Sequence, residues 1–307
     1  MFQGRTVAVI LPTYREKATI RAVIEGFDDL GVVDDILVVN NNAEPGTSEE
    51  VAGTAAREVV ETLQGYGAAI RRGIRETTAD LVCVCEPDGT FEPRDLRKLL
   101  AYSDDFEFVF GSRTVPELIW DGANMGHFLR WGNWAVAKEM EFLFNTTSLS
   151  DVGCTMRIMN GSIVRGFEPM IENNGGILGP ELMLLAIIGG WHVIQVPVNY
   201  KLRGGVAGTT ERFLPALKIG VGMIGMIWRY RRRRHEIAAR LARVGVVPSL
   251  HGNGMPRPGG KPSPMFLRRL RKVPVGVNAR TADDEFRESS KIDVGLTVPL
   301  DSDRLES

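Results

Sequence analysis

The 307-residue chain has three cysteines and four histidines, and no apolar run as long as a membrane span. Each scarcity removes a class of protein. Cys83, Cys85 and Cys154 are too few for a disulfide scaffold. Cys83 and Cys85 alternate within an apolar run, so a strand points both to one face, and no second pair completes a zinc site. All three read as buried thiols in a chain suited to a reducing cytosol. His127 and His192 lack the paired spacing of a metal site and read as structural. The formal net charge is only −1, so overall charge calls for no polyanionic partner. The start, MFQGRTVAVILPTY, has no long apolar region ahead of a cleavage site and runs straight into a strand pattern. No internal repeat is present.

What is there is an alternation of short β-branched runs with helical spacing. Strands are expected at Thr6–Leu11, Asp35–Val39, Asp80–Cys85 and Phe106–Phe110. Helices are expected at Lys17–Leu30, where Ile20, Val23, Ile24 and Phe27 share a face, and at Ser48–Val60, Gly67–Glu76 and Glu92–Tyr102. That order predicts an α/β fold, a mostly parallel central sheet with helices on both faces. Ligands of such sheets sit beyond the carboxyl ends of the strands. The second half predicts a long helix at Phe128–Phe144, a turn at Asp151–Arg157, a helix at Pro180–Ile188 and an edge strand at His192–Tyr200 interrupted by Pro197. The boundaries drawn are a catalytic domain over 1–212, an apolar and basic helical segment over 213–244, and a disordered tail over 245–307.

The strand ends carry the candidate chemistry. Glu86-Pro87-Asp88-Gly89 places two carboxylates after a buried strand, hard oxygen donors for Mg²⁺ or Mn²⁺, with a solvated Pro-Asp-Gly turn as the competing account. Gly65-Tyr66-Gly67 before a helix suits an anion, or a tight packing turn. Asn40-Asn41-Asn42 suits either a base edge or a plain loop. Arg113 ends the fourth strand, and Arg130, Arg157 and Arg203 fall in segments expected around the same crevice; several arginines there point modestly to an anionic ligand. Asp151 and Glu181 read either as acceptor-side carboxylates or as local compensation of turn and helix dipole.

These pieces, in this order, resemble glycosyltransferase family 2, and within it the polyprenyl- and dolichyl-phosphate sugar synthases. The matching residues are Leu11-Pro12-Thr13-Tyr14-x-Glu16, Val38-Val39-Asn40-Asn41, Gly65-x-Gly67-x-Ala69, Glu86-Pro87-Asp88-Gly89 and Gly111-Ser112-Arg113. Asp151-Val152-Gly153-Cys154-Thr155-x-Arg157, Glu181-Leu182 and Val196-Pro197-Val198-x-Tyr200-x-x-Arg203 continue the series, which covers roughly residues 6–230. The resemblance implies a GT-A fold. It implies a nucleotide-sugar pocket at Pro12, Thr13, Tyr14, Glu16, Asn40, Asn42, Gly65, Gly67, Pro87 and Asp88. Asp88 would hold the metal with help from Glu86, and Arg113, Arg130, Arg157 and Arg203 would meet acceptor or donor phosphate. Asp88, Arg113, Asp151 and Glu181 would be catalytic.

The activity so implied is inverting transfer of a sugar from a UDP- or GDP-linked donor to a polyprenyl phosphate. A small-molecule or saccharide hydroxyl is the alternative acceptor, and a non-catalytic sugar-nucleotide binding protein the remaining one. A nucleotidyltransferase is disfavoured, because Pro12–Glu16 is not a Gly-rich basic loop. Phe213–Trp228 is short against the ~20 apolar residues of a bilayer span and is interrupted by Lys218. With the basic run Arg229–Arg234 it reads either as a surface segment at an anionic inner membrane face or as a core helix with a solvated basic end. Nucleic acid is not expected, because no groove-reading motif or aromatic platform accompanies the run.

Overall fold

The computed structural model describes residues 1–123, 127–204 and 213–243, all within the compact unit Met1–Arg257. Its centre is a seven-stranded sheet in the order β3-β2-β1-β4-β6-β5-β7. The strands are β1 (Val7–Thr13), β2 (Asp35–Asn40), β3 (Arg57–Val60), β4 (Leu81–Val84), β5 (Phe108–Ser112), β6 (Arg157–Asn160) and β7 (Val193–Pro197). β1 pairs in parallel with β2 and β4, β2 with β3, and β5 with β7; β6 runs antiparallel between β4 and β5. The chain leaves β1 toward β2 and β3, then returns to the other side of β1 with β4. The β1–β4 junction is therefore the topological switch point, where a crevice opens at the strand ends.

The side-chain alternation of the strands sorts the core. Ile10, Val82, Val84, Phe108 and Phe110 face one layer, while Val9, Leu11, Cys83, Cys85 and Val109 face the other. The second layer is covered by α1 (Lys17–Asp28), whose Ile20, Val23, Ile24 and Phe27 are buried at the expected spacing, and by α4 (Leu96–Tyr102). The first layer holds α3 (Tyr66–Glu76), α5 (His127–Phe144), α6 (Gly161–Phe167), α7 (Leu178–Gly189) and α8 (Phe213–Arg243). Every residue of α7 is buried, as a helix apolar on all sides must be. All three cysteines are free and buried. No helix among the described residues is long and apolar enough to cross a membrane.

One local expectation is corrected and two are extended. Ser48–Val60 is not one helix: α2 (Thr47–Val51) ends before Gly53, whose φ of +80° breaks the turn, and Arg57–Val60 becomes the edge strand β3. There the Arg57 guanidinium grips Asp35 of β2 with bonds of 2.8 and 2.9 Å. The Asp151–Arg157 turn leads into β6 and α6, which were not expected. The segment from 213 is one helix to Arg243, and Met226, Ile227, Tyr230, Ile237 and Leu241 bury one face of it against α5 and α7. The expected tail beyond 245, the side chain of His127 and the segment 205–210 lie outside the described residues. His192 takes the structural place expected for it, its backbone N–H and Nδ1 meeting Glu107 at 2.7 and 3.3 Å.

Candidate active site

The crevice at the switch point is built by two turns. At the end of β1, Pro12 and Thr13 are buried, Thr13 stands in register with Asn40, and the chain bends into α1 around Glu16. Oε2 of Glu16 accepts from the backbone N–H groups of Tyr14 and Arg15 at 2.6 and 2.8 Å and from the Thr13 hydroxyl at 3.3 Å. Oε1 is left to face Arg203, 3.2 Å away. Tyr14 is exposed, with the Arg15 guanidinium over its ring.

At the end of β4, Asp88 is buried in a turn that Gly89 closes with φ +78°. Its Oδ1 accepts from the Thr90 N–H at 3.0 Å and the Thr90 hydroxyl at 2.6 Å. Its Oδ2 lies 3.5 Å from Arg203 Nη1. The turn is anchored on both sides: Thr19 of α1 donates to the Pro87 carbonyl at 2.6 Å, and the Gly204 N–H donates to the Asp88 carbonyl at 2.9 Å. Burial, then the Asp88 charge, push the Glu86 carboxyl up to about 8, against the pull of Arg203 and Arg113. Glu16, Glu86, Asp88 and Arg203 thus form one charge cluster, in which Asp88 Oδ2 and Glu86 are only loosely matched.

That donor set fits a divalent cation. Mg²⁺ commonly takes one or two carboxylates and completes its shell with phosphate oxygens and water. Among the described residues no group of three or more His, Cys, Asp or Glu forms a protein cage. A cation between Asp88 and Glu86 would therefore rely on oxygens of a bound diphosphate.

Asp151 and Arg113 are brought together, but with each other. Asp151 is fully buried, and the Arg113 fork meets it at 2.9 and 3.0 Å. The backbone N–H groups of Arg113 and Gly153 add bonds of 3.0 and 2.9 Å. Burial alone would raise the Asp151 carboxyl, yet these contacts hold it below its ordinary value. The Arg113 guanidinium also lies over the Tyr200 ring, 5.1 Å from its centroid.

Glu181 is fully buried and saturated as well. It accepts from the Glu172 N–H at 2.7 Å, from the Asn173 N–H and side-chain amide at 3.0 and 2.8 Å, and from the Tyr230 hydroxyl of α8. Arg157 is buried over Phe110 and donates to the carbonyls of Cys154, Thr155 and Gly179; it makes no ion pair with a described residue. Arg130, in the first turn of α5, is half-buried.

The nucleotide-side residues divide similarly. Asn40 turns its amide to Glu58 at 2.7 Å and accepts from the Ala43 N–H at 2.9 Å, while Asn42 is exposed with φ +61°. Asn41, the member of the triplet left out of the expected pocket, is buried and ties the loop together. It donates to the Glu61 and Leu63 carbonyls at 2.8 and 2.9 Å and accepts from the Gly65 N–H at 2.8 Å. A Cβ on Gly65, whose φ is +148°, would lie 2.3 Å from the Asn174 carbonyl oxygen; one on Gly67 would lie 2.7 Å from the Asn174 carbonyl carbon. These glycines permit backbone to approach backbone at the mouth of the crevice. The signal for Asn41 was its place at the end of a buried strand, where an amide can satisfy loop carbonyls.

A parallel sheet with this switch point has its ligand crevice where Glu86 and Asp88 stand. The model for "Glycosyl transferase family 2" matches residues 8–166, more than half the chain, and the chain belongs to that family. Among the relatives, a dolichyl-phosphate hexose transferase of Haloferax volcanii is 28% identical over 65% of this chain and 84% of its own length. An uncharacterised glycosyltransferase of Mycobacterium tuberculosis is 29% identical over 66% and 88%. Among solved structures, glucosyl-3-phosphoglycerate synthase from Mycobacterium tuberculosis in complex with Mn²⁺, UDP and phosphoglyceric acid has a TM-score of 0.51. It is 19% identical over 80% of this chain and 81% of that one, a likeness of fold.

Proposed function

We propose that this glycosyltransferase moves a sugar, with inversion, from a UDP- or GDP-linked donor to a polyprenyl phosphate, using Mg²⁺ or Mn²⁺. The observation that carries the reading is the pair Glu86 and Asp88 at the β1–β4 switch point, with Arg203 beside them. A bound cation would neutralise charge growing on the leaving diphosphate. Asp88, fixed by Thr90, would present one oxygen to it without reorganising. Arg203, between Glu16 and Asp88, would exchange a carboxylate for a phosphate oxygen once the donor enters. Thr13, Asn40 and the Asn41-anchored loop would form the nucleoside side of the pocket.

The state of the other carboxylates supports the acceptor. A hydroxyl acceptor needs a base, and the two candidates, Asp151 and Glu181, are saturated with hydrogen bonds. A lipid phosphate is already an anion and needs none. The name of the Haloferax relative agrees with such an acceptor, and the phosphoglyceric acid in the solved neighbour stands for the alternative, a small soluble one.

The test is transfer of labelled sugar from UDP- and GDP-linked donors to polyprenyl phosphate and to phosphoglycerate, each with and without Mn²⁺. Metal-dependent product on the lipid phosphate is expected. Product only on the soluble hydroxyl, or thermal stabilisation by a donor without transfer to any acceptor, overturns the proposal.

A further inference from the structure

The core accounts for only one side of α5 and one side of α8. On α8 the side chains of Met223, Met226, Ile227 and Tyr230 are buried. On the other side Leu217, Val221, Ile224 and Trp228 are all exposed. Their spacing of four, three and four residues returns each to one stripe of a 3.6-residue helix. α5 repeats the arrangement. Val136, Ala137, Met140 and Phe144 are buried, while Trp131, Trp134 and Phe142 stand on the opposite side with Lys138 among them. Trp131 is 69% exposed and Phe142 85%. The two helices pack together, and the Trp228 indole N–H donates to Glu139 of α5 at 2.8 Å. A single exposed apolar side chain is ordinary; seven in two stripes on touching helices are not.

Charge says what the stripes face. Seven arginines and Lys218 against Glu236 alone leave α8 with a net charge of +7, in a chain whose total is −1. The arginines begin where the apolar stripe stops, Arg231 and Arg232 following Trp228 along the same side. Glu172 and Glu236 engage Arg229 and Arg233, but Arg232 makes no ion pair among the described residues. A second copy would bring like charge against like charge. Tryptophan at headgroup depth, aliphatic residues at the acyl boundary and arginine on phosphates are what an anionic bilayer surface accepts from a helix lying in its plane.

We propose that α5 and α8 together form a docking face for an anionic lipid bilayer, the stripe of Leu217, Val221, Ile224 and Trp228 lying in its plane beside Trp131, Trp134 and Phe142. The argument rests on these helix faces and not on the identity of the sugar acceptor. It therefore stands or falls separately from the proposed reaction.

The test is sedimentation of the full chain with phosphatidylcholine vesicles that contain or lack phosphatidylglycerol, at low and high salt. The wild type is expected to sediment with the anionic vesicles, with a blue shift of tryptophan emission and weaker binding at high salt. Trp131→Ala with Trp134→Ala, and separately Val221→Ser with Ile224→Ser, should each weaken partitioning by about tenfold or more. Arg232→Gln with Arg234→Gln should remove the preference for phosphatidylglycerol. Circular dichroism reports whether each variant is folded, and the wild-type comparison of the two vesicle types stands even if one is not. Wild-type protein left in the supernatant overturns the proposal, as does unchanged binding by both apolar doubles. A dimer in light scattering that those doubles convert to monomer also overturns it, assigning the face to a second copy.

Discussion

Asp88 and Asp151 are both buried aspartates facing an arginine, and they differ in how completely that arginine is used. The Arg113 fork closes on Asp151 with Nε and Nη2, and two backbone N–H groups complete the carboxylate. Arg203 stands 3.5 Å from Asp88 and is shared with Glu16, while Glu86 crowds the same cleft. A saturated ion pair resists exchange, because breaking it strands a buried charge. A loosely matched cluster is stabilised by a cation and a phosphate arriving together. On the proposed reading the first holds the wall of the crevice and the second binds.

The comparison breaks first at Asp151. Asp151→Asn leaves the Arg113 charge buried without its partner and should cost about 3–5 kcal/mol of stability, read by denaturant unfolding. The effect has a pH signature. The Asp151 carboxyl is held below its unfolded value, so its contribution is complete above the ordinary aspartate value of about 4 and is lost as pH falls through the lower folded value. The gap between wild type and variant should close toward strong acid; a gap constant with pH would mean that the pair is not its source.

Asp88→Asn should do the reverse. Stability should change little, because Thr90 can still be bonded by the amide oxygen, while sugar transfer falls by about 10²–10³-fold. Full activity in this variant, with unchanged Mn²⁺ dependence, would remove Asp88 from the metal site. The same substitution should also weaken Mn²⁺-dependent thermal stabilisation by UDP, a readout that needs no turnover.

Tyr230→Phe is expected to be smaller. It removes one donor from the buried Glu181 carboxylate and should cost about 1–3 kcal/mol. Glu181 holds residues 172 and 173, and Asn174 packs on Gly65 and Gly67, so donor KM should rise more than kcat falls. A purely structural link would lower stability with KM unmoved. The smallest effect belongs to Arg57→Ala at the sheet edge, an exposed ion pair with Asp35 worth about 0–1 kcal/mol.

Much of the crevice was legible because it is built from sequence-local pieces. Leu11–Glu16 is a buried strand followed by its own turn, and Glu86–Thr90 is another. The parallel-sheet rule alone brings their ends together. Arg203 is distant in sequence, and its arrival at Asp88 followed the family order of motifs. β3 and β6 were not legible. Each has four residues, too few for alternation to declare itself, and each exists because a neighbouring strand offers unpaired backbone groups. Which role Asp151 and Glu181 play was also hidden. Spacing shows a carboxylate near a crevice but not how many donors already surround it.

Local order determined that β-branched runs and amphipathic helices alternate, and so that strand ends carrying Thr13, Asn40 and Asp88 share one side of a sheet. Tertiary packing alone decided which charges are spent there and which remain available. Asn41, Arg113, Arg157 and Glu181 find their partners across gaps of between 20 and 49 residues, or deep in the core. The physical reason is that hydrophobic pattern is written in the spacing of neighbours, whereas the saturation of a buried charge depends on every group the fold brings within hydrogen-bond reach.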